Sequence, residues 1–437
     1  MTLFMKNKAS LKFYTIQFFC LTFFWSITLT RFVLMIPIQT YSDGNYQNVE
    51  RDFYMQCFIS FGVFHIVIFA FFGVYGSDFV TINPITRKIN YYFCTIMFSI
   101  ANCIFWSVLF EIANIIMFAT KLGGKESFNE SLYQHNKVIS FLTVNYMPWW
   151  GRVISLGLIL LAGTINNIYC LIEGHILPYK HITLYSDKVD KEVKFVHLSD
   201  IHIGSRFIDH AQKIVQRVIP IEPEFIVITG DLTDSPNVYL EELMPFKEMT
   251  DRIPTYMSLG NHDYICGLDN VRYMTNEVGI ELVENGIIEL EDLHTTIVST
   301  NDADVPEEFE ATAKKLGKDI NESTYNIVLQ HRPFGYNEVC AYGKYDLMLS
   351  GHTHVGQLWP WYFVTYFVFP KPYGLYPIHS GGKDMHLYTH PGTGAWACAM
   401  RSAGRNHITI FHILPNEGNH IPVELNSSLS HQEDIEQ

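Results

Sequence analysis

Five short clusters in the C-terminal portion of this chain hold side chains suited to divalent metal ions. Asp200 and His202 stand in Asp-Ile-His, and Asp231 and Asp234 in Gly-Asp-Leu-Thr-Asp. Asn261, His262 and Asp263 follow in Gly-Asn-His-Asp, then His331, then His352 and His354 in Gly-His-Thr-His. Carboxylate oxygen, amide oxygen and imidazole nitrogen together suit first-row ions such as Mn, Fe or Zn. Taken singly each cluster is weak: Asp-x-His fits a turn, Gly-Asn-His-Asp fits an Asx-turn, and a lone histidine is more often core or surface than ligand. In sequence order, each behind a strand, the five point to a metal centre.

The elements that must position them are short and β-rich. Strands are expected over 193–198, 225–229, 255–259, 325–330 and 345–350, each delivering one cluster at its C-terminal end, where open α/β sheets place their sites. A helix over 211–218, ended by Pro220, separates the first two, and a final strand is expected over 407–414. The glycines before Asp231, Asn261 and His352 permit backbone angles and close approaches that other residues resist.

In order and spacing these clusters resemble the calcineurin-like metallophosphoesterases, whose pattern is D-x-H, G-D-x-x-D, G-N-H-D/E, H and G-H-x-H. Gly356-Gln357, Gly392-Thr393-Gly394-Ala395-Trp396 and Met400-Arg401 further resemble the branch of transmembrane proteins with a metallophosphoesterase domain; Val355 departs from it, standing where that branch commonly has Gly. The resemblance implies a four-layer α/β sandwich of two mixed sheets over 193–415. It also implies two divalent ions, with manganese among the candidates. Asp200, His202, Asp231 and His354 would hold one ion, and Asp231, Asn261, His331 and His352 the other. On the same ground, a hydroxide shared between the ions attacks a phosphate ester in line, and His262 protonates the leaving oxygen. Asp234 or Asp263 would fix the tautomer of His262 or of a ligand histidine, against a plain turn-capping role. Arg332 would contact phosphate, against a plain surface arginine.

Composition divides the chain in two. Residues 1–180 hold 12 Lys and Arg against 8 Asp and Glu, and the remainder hold 18 against 36, a balance of −18. So acidic a portion argues against a nucleic-acid partner, because phosphate backbones are held by Lys and Arg. Apolar runs at 13–38, 53–76, 89–110 and 153–172 meet the roughly 20 residues that a bilayer core needs, and 132–150 suits an interfacial helix. An N-terminal helical membrane bundle of about four spans is expected over 1–174. A linker (175–192), the phosphoesterase domain (193–415) and a polar tail (416–437) complete the division.

Lys6, Lys8 and Lys12 ahead of the first run favour a cytoplasmic N-terminus, and an even span count then puts the domain in the cytoplasm. Five of the eight cysteines lie in apolar runs and the other three cannot all pair, so no disulfide scaffold is expected, and without a C-x-x-C spacing no cysteine zinc site is either. The combined expectation is an integral, multi-pass membrane hydrolase acting on a phosphate ester, one carried on a lipid among the candidates, with the bilayer as partner. The alternative is a catalytically silent binding module of the same fold, tethered to the membrane. An uncharged aromatic run, 358–370, is expected to lie against the bilayer rather than in the core.

Overall fold

Residues that alternate or run together as apolar stretches set the strands, and the chain then folds them into two sheets. The structure, a computed structural model, describes residues 149–234, 238–359 and 361–416, with Thr95 and Ser99. In chain order it contains α1 (Trp149–His175), β1 (Tyr179–Ser186), β2 (Val193–Leu198), α2 (Ile208–Val218), β3 (Phe225–Thr229), α3 (Leu240–Leu243) and α4 (Pro245–Thr250). β4 (Thr255–Ser258), α5 (Asn261–Cys266), α6 (Leu268–Glu277), β5 (Glu281–Leu282), β6 (Gly286–Leu290), β7 (Thr295–Ser299) and α7 (Pro306–Leu316) follow. The remaining elements are β8 (Tyr325–Leu329), α8 (Tyr336–Tyr342), β9 (Leu347–Ser350), α9 (Trp361–Val368), β10 (Gly374–Ser380), β11 (Lys383–Thr389) and β12 (Ile408–Pro415).

One sheet has the order β1-β12-β2-β3-β4-β5 and the other β10-β11-β9-β8-β7-β6. Both are mixed. In the first only β12 and β2 run antiparallel; in the second β10–β11 and β6–β7 do. Val193 and Phe195 of β2 face one side, and Val196 and Leu198 the other, so both faces of the strand are buried, as a central strand between two layers requires. Between the sheets Phe195 stacks on Phe225 and Phe411, each with ring centroids 4.9 Å away, and packs with Ile327 and Leu347 from the second sheet. On the outer side of the first sheet Val196, Ile226 and Ile228 meet Ile214 of α2, Phe246 of α4 and Val271 of α6. Phe309 of α7 and Val339 of α8 cover Val298, Val328 and Met348 of the second. These four layers are the expected sandwich.

One expectation needs correction. The segment expected as a linker, 175–192, contains β1, which pairs in parallel with β12 along its whole length, from Tyr179↔Ile408 to Ser186↔Pro415. Its buried Ile182 and Leu184 alternate with half-exposed neighbours, an edge-strand pattern. Its partner lies more than 220 residues away, out of reach of local reading. The aromatic run 358–370 contains the helix α9, none of whose residues is buried.

The expected spans at 13–38, 53–76 and 89–110 lie outside the described residues, apart from Thr95 and Ser99, as do almost all of 132–150 and the tail beyond Asn416. Among the described residues no helix is long and apolar enough to cross a membrane. The fourth expected span, 153–172, falls within α1, where Leu158, Leu161, Ile165, Ile168 and Ile172 are each more than half exposed. Cys170, Cys266, Cys340 and Cys398 are buried, and none of them is in a disulfide.

Candidate metal centre

All five strands named above deliver their clusters to one place. β2, β3 and β4 bring Asp200, His202, Asp231 and Asn261 from the first sheet; β8 and β9 bring His331, His352 and His354 from the second. The backbone turns sharply there. Asp200, His202, Asp231, His352 and His354 all have φ between 48° and 70°, a left-handed conformation that non-glycine residues hold only at some cost. Val355, buried and β-branched, shares it with φ 54° and packs on Gly404, whose absent side chain leaves it room. The Gly that the related branch favours at this position would adopt that turn without strain.

The donor atoms form two overlapping sets. In the first, His354 Nε2 is 2.9 Å from His202 Nε2 and 3.4 Å from Asp200 Oδ1. His202 Nε2 also lies 3.9 Å from Asp200 Oδ1 and 3.8 Å from Asp231 Oδ2. In the second, His331 Nε2 is 3.1 Å from Asn261 Oδ1, 3.2 Å from Asp231 Oδ2 and 3.2 Å from His352 Nδ1. Two donors each about 2.1 Å from one ion lie about 3.0 Å apart at right angles and about 3.4 Å apart at the tetrahedral angle. The second set and the His354 distances of the first fit that spacing, the 3.8 and 3.9 Å distances from His202 are wider, and Asp231 Oδ2 is shared by both sets. Such close packing of oxygen and nitrogen lone pairs is what divalent ions would relieve.

Surrounding groups hold the donors in place. Ser199 Oγ donates to Asp200 Oδ2 at 2.5 Å, and the His352 amide donates to the same carboxylate at 3.0 and 3.1 Å. His331 Nδ1 donates to the Thr229 carbonyl at 2.8 Å, which turns Nε2 towards Asp231 and Asn261. Gly260 and Gly351 are needed for space: a Cβ at the first would sit 2.3 Å from Asp231 Oδ1, and at the second 2.2 Å from Asp200 Oδ2.

Electrostatics reflect the crowding. Burial lowers the His331 pKa, but the Asp231, Asp200 and Asp302 carboxylates overcome it and lift it to about 10, so without an ion Nε2 carries a proton shared with Asp231. His202, His352 and His354 are driven well below the ordinary histidine value, first by burial and then by neighbouring histidine and arginine side chains. They are neutral, as metal ligands must be.

The remaining site candidates fall in distinct places. His262 donates its amide to Asp231 Oδ1 at 2.8 Å, and its ring packs edge-on against His202 and faces Trp396 on the partly open side of the centre. Its Nδ1 is buried with no hydrogen-bond partner. Asp263 does not reach that ring. Its Oδ2 accepts the amides of Gly260 at 2.8 Å and Asp231 at 2.9 Å, tying two of the metal-binding turns together. Asp234 Oδ1 accepts the Ser205 amide, while its Oδ2 lies 3.7 Å from His202 Nδ1. Arg332 is engaged by Asp302 at 2.9 Å and Asp304 at 3.2 Å.

Two residues of this neighbourhood went unnoticed in the sequence as site candidates. Asp302 follows β7 just as the other acids follow their strands, and burial lifts its carboxyl to about 6 against the pull of His331 and Arg332. The strand-then-acid pattern of Ser299-Thr300-Asn301-Asp302 was the available signal. Arg401, noted only as part of a resembling motif, is wholly buried and donates to His354 Nδ1 at 3.0 Å, Gly394 O at 2.8 Å, His354 O at 3.2 Å and Gly404 O. No local pattern identifies such a contact, 47 residues from its partner.

Residues 193–356 match the family model described as calcineurin-like phosphoesterase. The chain is 29% identical over 249 residues to an uncharacterized metallophosphoesterase of Helicobacter pylori, covering 56% of this chain and 66% of that protein. It is 30% identical over 230 residues to the transmembrane protein with metallophosphoesterase domain of Danio rerio (50% of this chain, 52% of the relative) and 28% identical over 235 residues to that of Bos taurus. The chain thus spans a little under two thirds of the bacterial relative and about half of the two vertebrate ones. Residues 193–356, which hold the clusters from Asp200 to His354, are thus similar to the calcineurin-like phosphoesterases.

Proposed function

We propose that this chain is a membrane-anchored, metal-dependent hydrolase of phosphate esters. The observation that carries the reading is the pair of donor sets meeting at Asp231 Oδ2, the first drawn mainly from the first sheet and the second equally from both. Asp200, His202, Asp231 and His354 would hold one ion, and Asp231, Asn261, His331 and His352 the second. When bound, the ions supply Lewis acidity, neutralising phosphoryl oxygens and acidifying an attacking water.

The chain's own residues do the rest. His262 lies on the partly open side, held by its amide on Asp231, where its ring can give a proton to the leaving oxygen. Asp263 positions Asp231 through the backbone, and Asp234 lies beside the outer nitrogen of His202. Arg332 reaches phosphate only by exchanging Asp302 or Asp304 for it, so it is a secondary contact in this reading.

Anchoring rests on the apolar runs ahead of the domain, on the exposed leucines and isoleucines of α1, and on the name of the Danio rerio relative. Several passes with the domain on the cytoplasmic side is the topology that the N-terminal lysines favour. Protease protection of the domain in sealed vesicles tests that side. The activity is tested with the purified chain and Mn²⁺, Fe²⁺, Zn²⁺ or Mg²⁺ on aryl phosphate mono- and diesters. Turnover with at least one ion is expected, and Asp231→Asn abolishes it. No turnover with any ion on either ester class would favour a silent binding module instead.

A further inference from the structure

Outside the metal centre, α9 carries a cluster of exposed apolar side chains. The segment 358–370 has no charged residue. Phe363, Tyr366 and Phe367, at helical spacing i, i+3 and i+4, form one exposed face, with Phe367 90% exposed; Trp359 and Val368 extend it. A monomer in water does not gain by leaving such a face bare. Tryptophan, tyrosine and phenylalanine on one short helix suit the boundary between lipid headgroups and acyl chains.

Position favours a bilayer over another protein as the occupant. Two consecutive residues bind α9 to the end of the apolar helix α1: the Arg401 amide donates to Cys170 O at 2.8 Å, and Ser402 Oγ accepts the Trp359 amide at 2.8 Å. Gly174 is pressed so closely to Ala399 O that a Cβ there would lie 2.3 Å from it. The start of α9 and the last turns of α1 are thus neighbours, within roughly 10 Å. Exposed Tyr169 and Ile172 lie on those last turns. Beside them is a cleft of about 530 Å³ lined by Leu171, Ile172, His175, Ile176 and Lys213, apolar with a cationic rim that suits an anionic headgroup. At its other end α9 runs into Phe369, whose ring packs edge-on against the metal-centre residue His352 at 5.5 Å.

We propose that the exposed face of α9, continued by the end of α1, docks on the bilayer and presents the metal centre to a phosphate ester borne on a lipid. The docking is independent of the phosphoesterase reading; only the substrate part rests on it. The full chain is reconstituted in phosphatidylcholine nanodiscs containing phosphatidic acid, with Phe367→p-benzoylphenylalanine, and irradiated. A lipid adduct is expected at position 367 and none at the exposed control Tyr273→p-benzoylphenylalanine. Absence of a lipid adduct at 367, or cross-linking to a second copy of the chain in its place, would overturn the docking. In the same discs, Phe363→Ser with Phe367→Ser should lower the ratio of phosphatidic acid to p-nitrophenyl phosphate turnover about tenfold. An unchanged ratio overturns the lipid-borne substrate. Lipid adducts without turnover of either ester by the parent chain overturn that substrate together with the phosphoesterase reading, and leave the docking standing.

Discussion

Gly260→Ala is the smallest change that separates space from backbone strain at the centre. Gly260 has φ −111° and ψ 175°, angles open to any residue, so alanine meets no conformational penalty there. What it meets is Asp231. The new methyl would sit 2.3 Å from Oδ1 and 2.6 Å from the amide nitrogen, whereas real contacts of this kind stay beyond about 3.0 Å. Relief therefore needs a movement of at least about 0.7 Å. The Asp231 amide is held by Asp263, and Oδ1 by the His262 amide, so the carboxylate cannot move alone. Because Asp231 Oδ2 belongs to both donor sets, a shift of this size is expected to cost about 100-fold in turnover and to lower bound metal measured by mass spectrometry. Gly267→Ala is the counter-test: its φ of 88° makes alanine strained, but nothing lies within 4 Å. It should lose about 1–2 kcal/mol of stability and keep its metal. Full metal content and turnover in Gly260→Ala would refute the steric argument. Equal metal loss in both variants would show strain rather than space to be the cause.

Further expectations follow from the same contacts. Asp263→Ala removes an acceptor shared by two buried amides and should cost about 3–5 kcal/mol, whereas Asp263→Asn keeps an acceptor oxygen and should cost about 1–2, read from thermal unfolding of the two variants; equal losses would exclude this role. His262→Asn should slow alkyl phosphate esters at least tenfold more than p-nitrophenyl esters, whose leaving oxygen needs little help from a proton; equal slowing would assign His262 to positioning. In the metal-free chain the pKa of His331 is raised from 6.5 to about 10, so the stability it contributes is complete below about pH 6.5 and lost as pH rises through about 10. Melting temperature should therefore fall across that window without metal, and less so with Mn²⁺, which displaces the proton; a flat profile without metal would count against the His331–Asp231 pairing.

Much of this site was legible because its chemistry is local. β2 and β3 lie where the runs 193–198 and 225–229 placed them, and the end of each strand coincides with an Asp, Asn or His cluster. Legibility failed where the deciding partner was remote. Nothing in Tyr179–Ser186 names β12 as its neighbour, and Arg401 gains its meaning only from His354. For Asp263 two roles stood open in the sequence, orienting a histidine or capping a turn, and the fold turns its carboxylate to the amides of Gly260 and Asp231. In 358–370 the run of aromatic residues was visible, while its helical form was not.

The place of β12 has a consequence for how the chain is made. It lies between β1 and β2, so, among the described strands, the twelfth in chain order is needed to join the first two. While the ribosome is still adding residues before Ile408, β2 lacks its antiparallel neighbour and β1 has no strand to pair with. The Asp200 turn at the end of β2 therefore belongs to an unfinished sheet edge throughout that interval, open to mispairing. Emergence of β12, rather than of the metal ligands, is then what allows the first sheet to close.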